Sequence, residues 1–286
     1  MEFYECLADI LNNMNGLMVI LSKSSVGEQD LFNKTAKAAL VKSYEFNCTL
    51  SKYTDVNIYL MVSSLRGMCE DYIALRYIFD EHSQDKDRVI DLMMNTDIYR
   101  SSIAQWKFFE KYHANQILYY EADFPKKEEE YKSQLQNIVH SQGKKRGKQS
   151  LPSVQFMADK SGLSELYDYI YHATSIFVHF NPHVLLRMGW GDLPEITFST
   201  RHFNAYYRHF ACFYGAYLFK ELCAWMISIG LLDKAVETSL QKIVDLLGKE
   251  TRWPEIVTFE EMNIGGLSKL VLYDSPNSSK QVIDDH

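Results

Sequence analysis

Glycine and proline are scarce, at 13 and 6 of 286 residues. An all-β sandwich needs a turn signal roughly every 8–12 residues, so this shortage excludes that class. Cysteine is sparse and dispersed, at Cys6, Cys48, Cys69, Cys212 and Cys223. No CxxC pair and no CxxC…HxxxH spacing occurs, which excludes a zinc finger. An odd, scattered set reads as free thiols in a reducing compartment. Walker, GxGxxG, GxSxG and HExxH motifs are all missing. A ferritin-like di-iron bundle needs two Glu-x-x-His motifs, and only Glu110 to His113 has that spacing. No apolar run approaches the roughly 20 residues that span a bilayer. LMVIL at 17–21 is too short, and the run over 218–232 is interrupted by Lys220 and Glu221. The start, MEFYECLADI, carries acids where a secretory signal carries Lys or Arg. These absences predict a cytoplasmic protein without membrane association, metal or cofactor.

What is abundant is core material. Hydrophobic residues make up 47% and aromatics 14%, with 19 Tyr and 16 Phe, enough for a sizeable core. The formal charge of −7 argues against broad, charge-driven nucleic-acid binding. Two stretches, Lys144–Lys148 and Arg201–His209, are locally basic and leave room for a small basic cleft.

Apolar residues recur at helical spacing along most of the chain. Phe3, Leu7, Ile10, Leu11 and Met14 make a first helix that Asn15-Gly16 interrupts. A second begins after Gly27, with Glu28 and Asp30 near its positive end. Val56 to His82 reads as one helix, apolar nearly all round. Asp85 to Tyr120 reads as another. Pro125 opens a charged helix, and 142–150 (QGKKRGKQS) is a loop by composition. A short helix follows Pro152. Leu163 to Phe180 is a further helix, with Ser164 as N-cap and Asn181-Pro182 as its stop. The 187–200 region is a loop with room for one short hairpin. Ser199 or Thr200 caps a long helix from Arg201 to Ile229, and a weaker one spans Asp233 to Leu247. The fold class predicted is all-α, an irregular bundle of about eight to ten helices. N-terminal helices over 1–50 pack on the core or form an interface. A helical core domain over 51–247 carries the site, and 248–286 is an extension, disordered after Tyr273.

Three polar groups stand among apolar neighbours. Arg66 and Glu70 lie four apart on the 56–82 helix, where a guanidinium held by a carboxylate can face a phosphate. The same pair also reads as a structural ion pair between helices. Tyr171, Ser175 and His179 share one helix face by their spacing of four, and His172 falls on a neighbouring column. His179 sits in the last turn, where the helix dipole attracts positive charge. It reads as a general acid or base, or as a packing histidine. Asn181 and His183 follow at once and could contact a substrate. Arg201, His202, Arg208 and His209 interleave with Phe203, Tyr206, Tyr207 and Phe210. That pattern fits stacking and charge neutralisation of single-stranded RNA, or the polar edge of an amphipathic helix.

Arg66-x-x-x-Glu70, the LPSVQFMADKSGL-x-x-LY block and Tyr171-x-x-x-Ser175-x-x-x-His179-x-Asn181-Pro182 occur in that order. This combination resembles a bacterial all-helical family known only as a domain of unknown function. More distantly it resembles the HEPN superfamily of helical bundles, many of them metal-independent ribonucleases in toxin and antiphage systems. Ser175 falls near the Asn of their motif and His179 matches its His. Thr174 stands where their Arg would be, so Arg66 from a neighbouring helix would have to supply the cation.

What the resemblance implies is metal-independent endoribonuclease activity in a toxin or defence setting, with RNA as partner and a homodimer composing the cleft. His179 would move a proton, Arg66 would stabilise negative charge, and Glu70 would orient Arg66. Tyr171 or Ser175 would position a phosphate oxygen, with His172, Asn181, His183, Arg201 and Arg208 binding substrate. A second reading is a non-catalytic helical protein that binds a partner protein or a nucleotide-like ligand. There Arg66, Glu70 and His179 form a structural network. A metal hydrolase using His172, His179, His183 and Glu70 is a third.

Overall fold

The computed structural model describes residues 2–23, 30–52, 55–113, 115–139, 152–190 and 197–255, without the side chains at 183, 186, 187 and 190. The loop over 142–150, the basic run Lys144–Lys148 and the tail beyond Tyr273 lie outside the described residues. The chain divides into two compact units, Met1–Thr251 and Arg252–His286. In the second, Arg252 pairs with Glu255 at 2.9 Å. Among the described residues the first unit is all-α, with nine helices of eight residues or more, and its one sheet is a two-stranded hairpin. The predicted bundle and its hairpin both form.

Helix α1 (Phe3–Lys23) lies along α2 (Leu31–Lys52). The predicted break at Asn15-Gly16 does not occur. Met14 and Met18, on either side of Gly16, are both buried, and that burial outweighs the ~1 kcal/mol that glycine costs a helix. The Tyr44 hydroxyl donates to the Leu11 carbonyl at 3.0 Å and pins the pair.

α2 is gripped at both ends by charges from other helices. At its start the Phe32 N–H donates to Oδ1 of Asp87 at 2.8 Å, from α5 (Lys86–Tyr112). At its end the Leu50 and Ser51 carbonyls accept from Nε and Nη2 of Arg208 at 3.1 and 3.2 Å, from α10 (Asn204–Ser228). Each charge satisfies backbone groups that a helix end leaves open, and each has the sign the helix dipole favours there. Between the ends α2 crosses α10 at Gly215. A Cβ there would lie 2.8 Å from Asn47 Oδ1 and 2.9 Å from Phe46, so only glycine permits the approach. Asn47 Nδ2 donates to the Gly215 carbonyl at 3.1 Å across this crossing.

The predicted helix over 56–82 is two. A single turn, α3 (Ile58–Met61), precedes α4 (Ser64–His82). The break has a cause in α10. Asn204 Oδ1 accepts from the Ile58 N–H at 3.1 Å, and Asn57 Nδ2 donates to Thr200 Oγ1 at 2.7 Å. With α3 fixed there, the chain re-enters α4 through i−3 hydrogen bonds at Leu65 and Arg66, the tighter 3-10 pattern. α5 stops at Tyr112 rather than Tyr120, because His113 leaves helical geometry at φ −153°. α6 (Phe124–Val139) then runs back along α5, with Trp106 stacked on Tyr120 at 4.6 Å.

α7 (Val154–Ser161) and α8 (Ser164–Val178) pack on α4. Ser164 is not the N-cap of α8. Leu163 holds that position, and the Ser164 hydroxyl donates to Asp159 at 2.5 Å. Pro182 ends α8 as predicted, and it also opens α9 (Pro182–Arg187), whose Val184 N–H donates to Asn181 Oδ1 at 3.3 Å. The hairpin pairs β1 (Gly189–Trp190) with β2 (Thr197–Phe198). α10 starts at Asn204, three residues later than predicted, because Phe203 takes a left-handed conformation at φ 61°. That costs a bulky L-residue ~1–2 kcal/mol, and the bonds to Thr200 and Asn204 on either side hold it. α11 (Glu237–Gly248) closes the unit against α1 and α10. No helix of the described residues is long and apolar enough to cross a membrane.

Two outcomes follow. Gly215→Ala should lower stability by ~1–3 kcal/mol, the range for overpacking a closed contact, read as a shift of the denaturant midpoint. An unchanged midpoint would mean the crossing is loose. Burial pushes the Cys69 and Cys212 thiols up to about 12 and raises that of Cys223 as well. A chromogenic thiol reagent at neutral pH should therefore reach at most Cys6 and Cys48 in the native protein, and all five after denaturation. Fast reaction of a third native thiol would contradict this packing.

Candidate functional site

The packing of α8 on α4 brings Arg66 over Tyr171. The Arg66 Nε donates to Glu70 Oε1 at 2.7 Å, one helical turn along α4. Its guanidinium carbon lies 4.6 Å from the centre of the Tyr171 ring, a cation–π distance. The hydrogen bond to Glu70 raises the Arg66 pKa further above its ordinary value, so the cation is permanent. Neither Nη1 nor Nη2 has a hydrogen-bond partner among the described residues.

The sequence pattern places this pair inside an apolar surface, and the structure corrects that. The side chains of Arg66 and Glu70 are 25% and 30% exposed, on the rim between α4 and α8. The α4 helix is apolar around much of its circumference, yet α8 covers it only partly at this point.

Tyr167, one turn before Tyr171, is a member of the group that spacing alone did not single out. Its ring lies 5.5 Å from that of Tyr171, and burial, then the Glu70 charge, raises its pKa. It continues the four-residue column of Tyr171 and Ser175 backwards, which is the signal that could have found it.

The column does not continue to His179. Ser175 Oγ is buried without a hydrogen-bond partner. Thr174 is fully buried and its hydroxyl donates to the Ile170 carbonyl at 2.6 Å, so it faces inward. His179 is the C-cap residue of α8 with an extended backbone, φ −102° and ψ 160°, and therefore turns off the helix face. It is exposed, and among the described residues its side chain has no hydrogen bond, ion pair or ring contact. Tyr171 and His179 are eight residues apart, which is ~12 Å of helix rise. The Tyr171 side chain leans towards the N-terminus, away from His179. Arg66 thus sits at the Tyr171 end of this stretch of α8, and His179 caps its other end.

The other candidates have identifiable places. His172 is exposed, its ring edge-on to Tyr171 at 5.7 Å. Asn181 is the cap of α9. The side chain of His183 lies outside the described residues. Arg201 is exposed, with its backbone N–H bonded to Ser199 Oγ at 3.1 Å. Arg208 is committed to the end of α2, and its guanidinium carbon also lies 4.2 Å from the Tyr4 ring centre. His202 contacts the Met188 carbonyl at 2.8 Å, and His209 faces Glu250 at 3.8 Å. Among the described residues no three His, Cys, Asp or Glu side chains converge as metal ligands.

A family model described as "Family of unknown function (DUF5677)" matches residues 36–193, more than half of the chain. This span contains Arg66, Glu70, Tyr167, Tyr171, Ser175 and His179. No curated protein and no solved structure matches the chain.

Exposure on this scale limits what the ion pair contributes to stability. Partly solvated pairs are worth ~0–1 kcal/mol. Arg66→Gln and Glu70→Gln should each keep the melting transition within a few degrees of wild type by calorimetry. A large drop in either would show that the pair is a structural tie.

Proposed function

The chain belongs to the DUF5677 family, and we propose that it is a helical binding protein that takes a phosphate-bearing ligand at Arg66. The observation that supports this is a partly exposed guanidinium tied along one edge by Glu70, backed by the Tyr171 ring, and open at both Nη groups among the described residues. The open fork of a guanidinium matches two oxygens of a phosphate. Holding the side chain in place beforehand reduces the ordering cost of binding. Glu70 serves as the positioning group.

Metal-independent RNA cleavage is the second reading, and the exposed His179 beside exposed Val178 and Phe180 favours it. In that reaction the ribose 2′-oxygen attacks the adjacent phosphorus and the 5′-oxygen leaves. His179 moves the proton and Arg66 meets the charge of the phosphorane-like transition state. One phosphate must then reach both Arg66, which lies over Tyr171, and His179, which is ~12 Å of helix rise beyond Tyr171 on α8. The binding reading carries no such demand and is preferred.

Calorimetric titration with orthophosphate and with a short single-stranded oligoribonucleotide, in EDTA, separates the two. Binding should weaken at least ~10-fold in Arg66→Gln, the loss expected for a charged hydrogen bond, and partly in Arg66→Lys. His179→Ala should bind as wild type. Cleavage of the oligoribonucleotide by wild type, lost in Arg66→Ala and in His179→Ala with melting unchanged, would replace the binding reading with the nuclease one. Absence of binding and of cleavage would overturn both.

A further inference from the structure

Helix α5 has two apolar faces, and among the described residues only one is covered. Tyr99, Ile103 and Trp106 pack towards α6 and the segment before it, through ring contacts of Tyr99 with Tyr131 and of Trp106 with Tyr120. On the opposite side Met94, Ile98, Phe108 and Tyr112 are 46%, 52%, 56% and 66% exposed. With Ser101 and Gln105, both exposed, these residues recur at intervals of 4, 3, 4, 3 and 4 over residues 94–112. That is the heptad seam of a coiled coil, spanning ~27 Å of helix without a charge. Near the start of the same helix, Ile90 and Met93 line a trough of about 340 Å³ against α2 and α4. The seam begins beside them and continues along α5.

The seam is complementary to itself. A second α5 laid antiparallel so that Met94 faces Tyr112 also sets Ile98 opposite Phe108 and Ser101 opposite Gln105. Large residues thus meet large ones at both ends, and the two small polar residues meet in the middle, where a polar pair sets register. The charges agree. Asp97 and Lys111 occupy equivalent positions on one edge of the seam, and antiparallel pairing brings each beside the other's counterpart. Asp97 is 72% exposed and only loosely held by Arg100 at 3.4 Å. Lys111 is exposed, its ammonium 5.0 Å from the Tyr112 ring centre. A parallel pairing would set Asp97 across from Ser102 instead of Lys111 and leave Lys111 with no helical residue opposite it, so the two charges would go unpaired.

We infer that α5 is a self-association surface, on which a second copy of this chain docks antiparallel along the 94–112 seam. Two outward-facing helices meet there, so α6 and the rest of the unit stay on the far sides of the pair.

Sedimentation equilibrium of the full chain over a range of concentrations tests this. The expected species at high concentration has twice the 33.3 kDa chain mass. Phe108→Glu should weaken the dimer at least ~30-fold, as loss of a central apolar contact does, with an unchanged melting transition at concentrations where wild type is monomeric, because the residue is exposed there. Asp97→Lys and Lys111→Asp should each weaken it several-fold, and the double reversal should restore it, since the swapped charges still pair. A monomer at every concentration, a dimer indifferent to Phe108→Glu, or charge reversals that add instead of cancelling would each overturn the proposal. If Phe108→Glu disturbs folding, the reversal series on exposed positions still decides it.

Discussion

The grip on α2 is the constraint from which the rest of the bundle follows. A 22-residue helix buried along most of one side has ends that water cannot fully serve. Asp87 supplies an acceptor at one end and Arg208 supplies donors at the other. Because these residues belong to α5 and α10, satisfying α2 also fixes where those two helices start and cross. Gly215 sets how close α10 can come, and Asn204 carries the same logic to α3. The left-handed Phe203 is a local cost of that arrangement, since α10 must begin where Asn204 can reach Ile58.

That grip also sorts the arginines. Arg208 has its guanidinium on two carbonyls and an aromatic ring, so its place in the sequence among aromatic residues reports architecture rather than ligand contact. Arg66 stands differently. Its partner is on its own helix, its ring contact comes from α8, and its outer edge is open. Two guanidiniums with similar surroundings in sequence therefore have opposite availability. Helix packing decides which one a ligand can reach.

Both α5 and α8 show the same principle at the level of faces. In α8 the four-residue column from Tyr167 to Ser175 is kept, while His179 leaves it because the chain becomes extended one residue before Phe180. In α5 one apolar face is used inside the chain and another is left over. A leftover face with heptad spacing and matching edge charges has a natural use in self-association, and it is independent of the Arg66 site.

The helical class, the order of the main helices, the stop at Pro182, the hairpin and the Arg66–Glu70 spacing are legible in the amino-acid order alone. Each depends on periodicity or on a residue's own backbone preference, and both are local. That order misleads on Gly16, the start of α10, the cap of α8 and the depth of Arg66. Those depend on partners far along the chain, such as the 158 residues between Leu50 and Arg208. Periodicity shows that a residue lies on an apolar face, not how much of that face a neighbour covers. Helix packing alone leaves the outer edge of Arg66 open among the described residues and commits Arg208 to the end of α2.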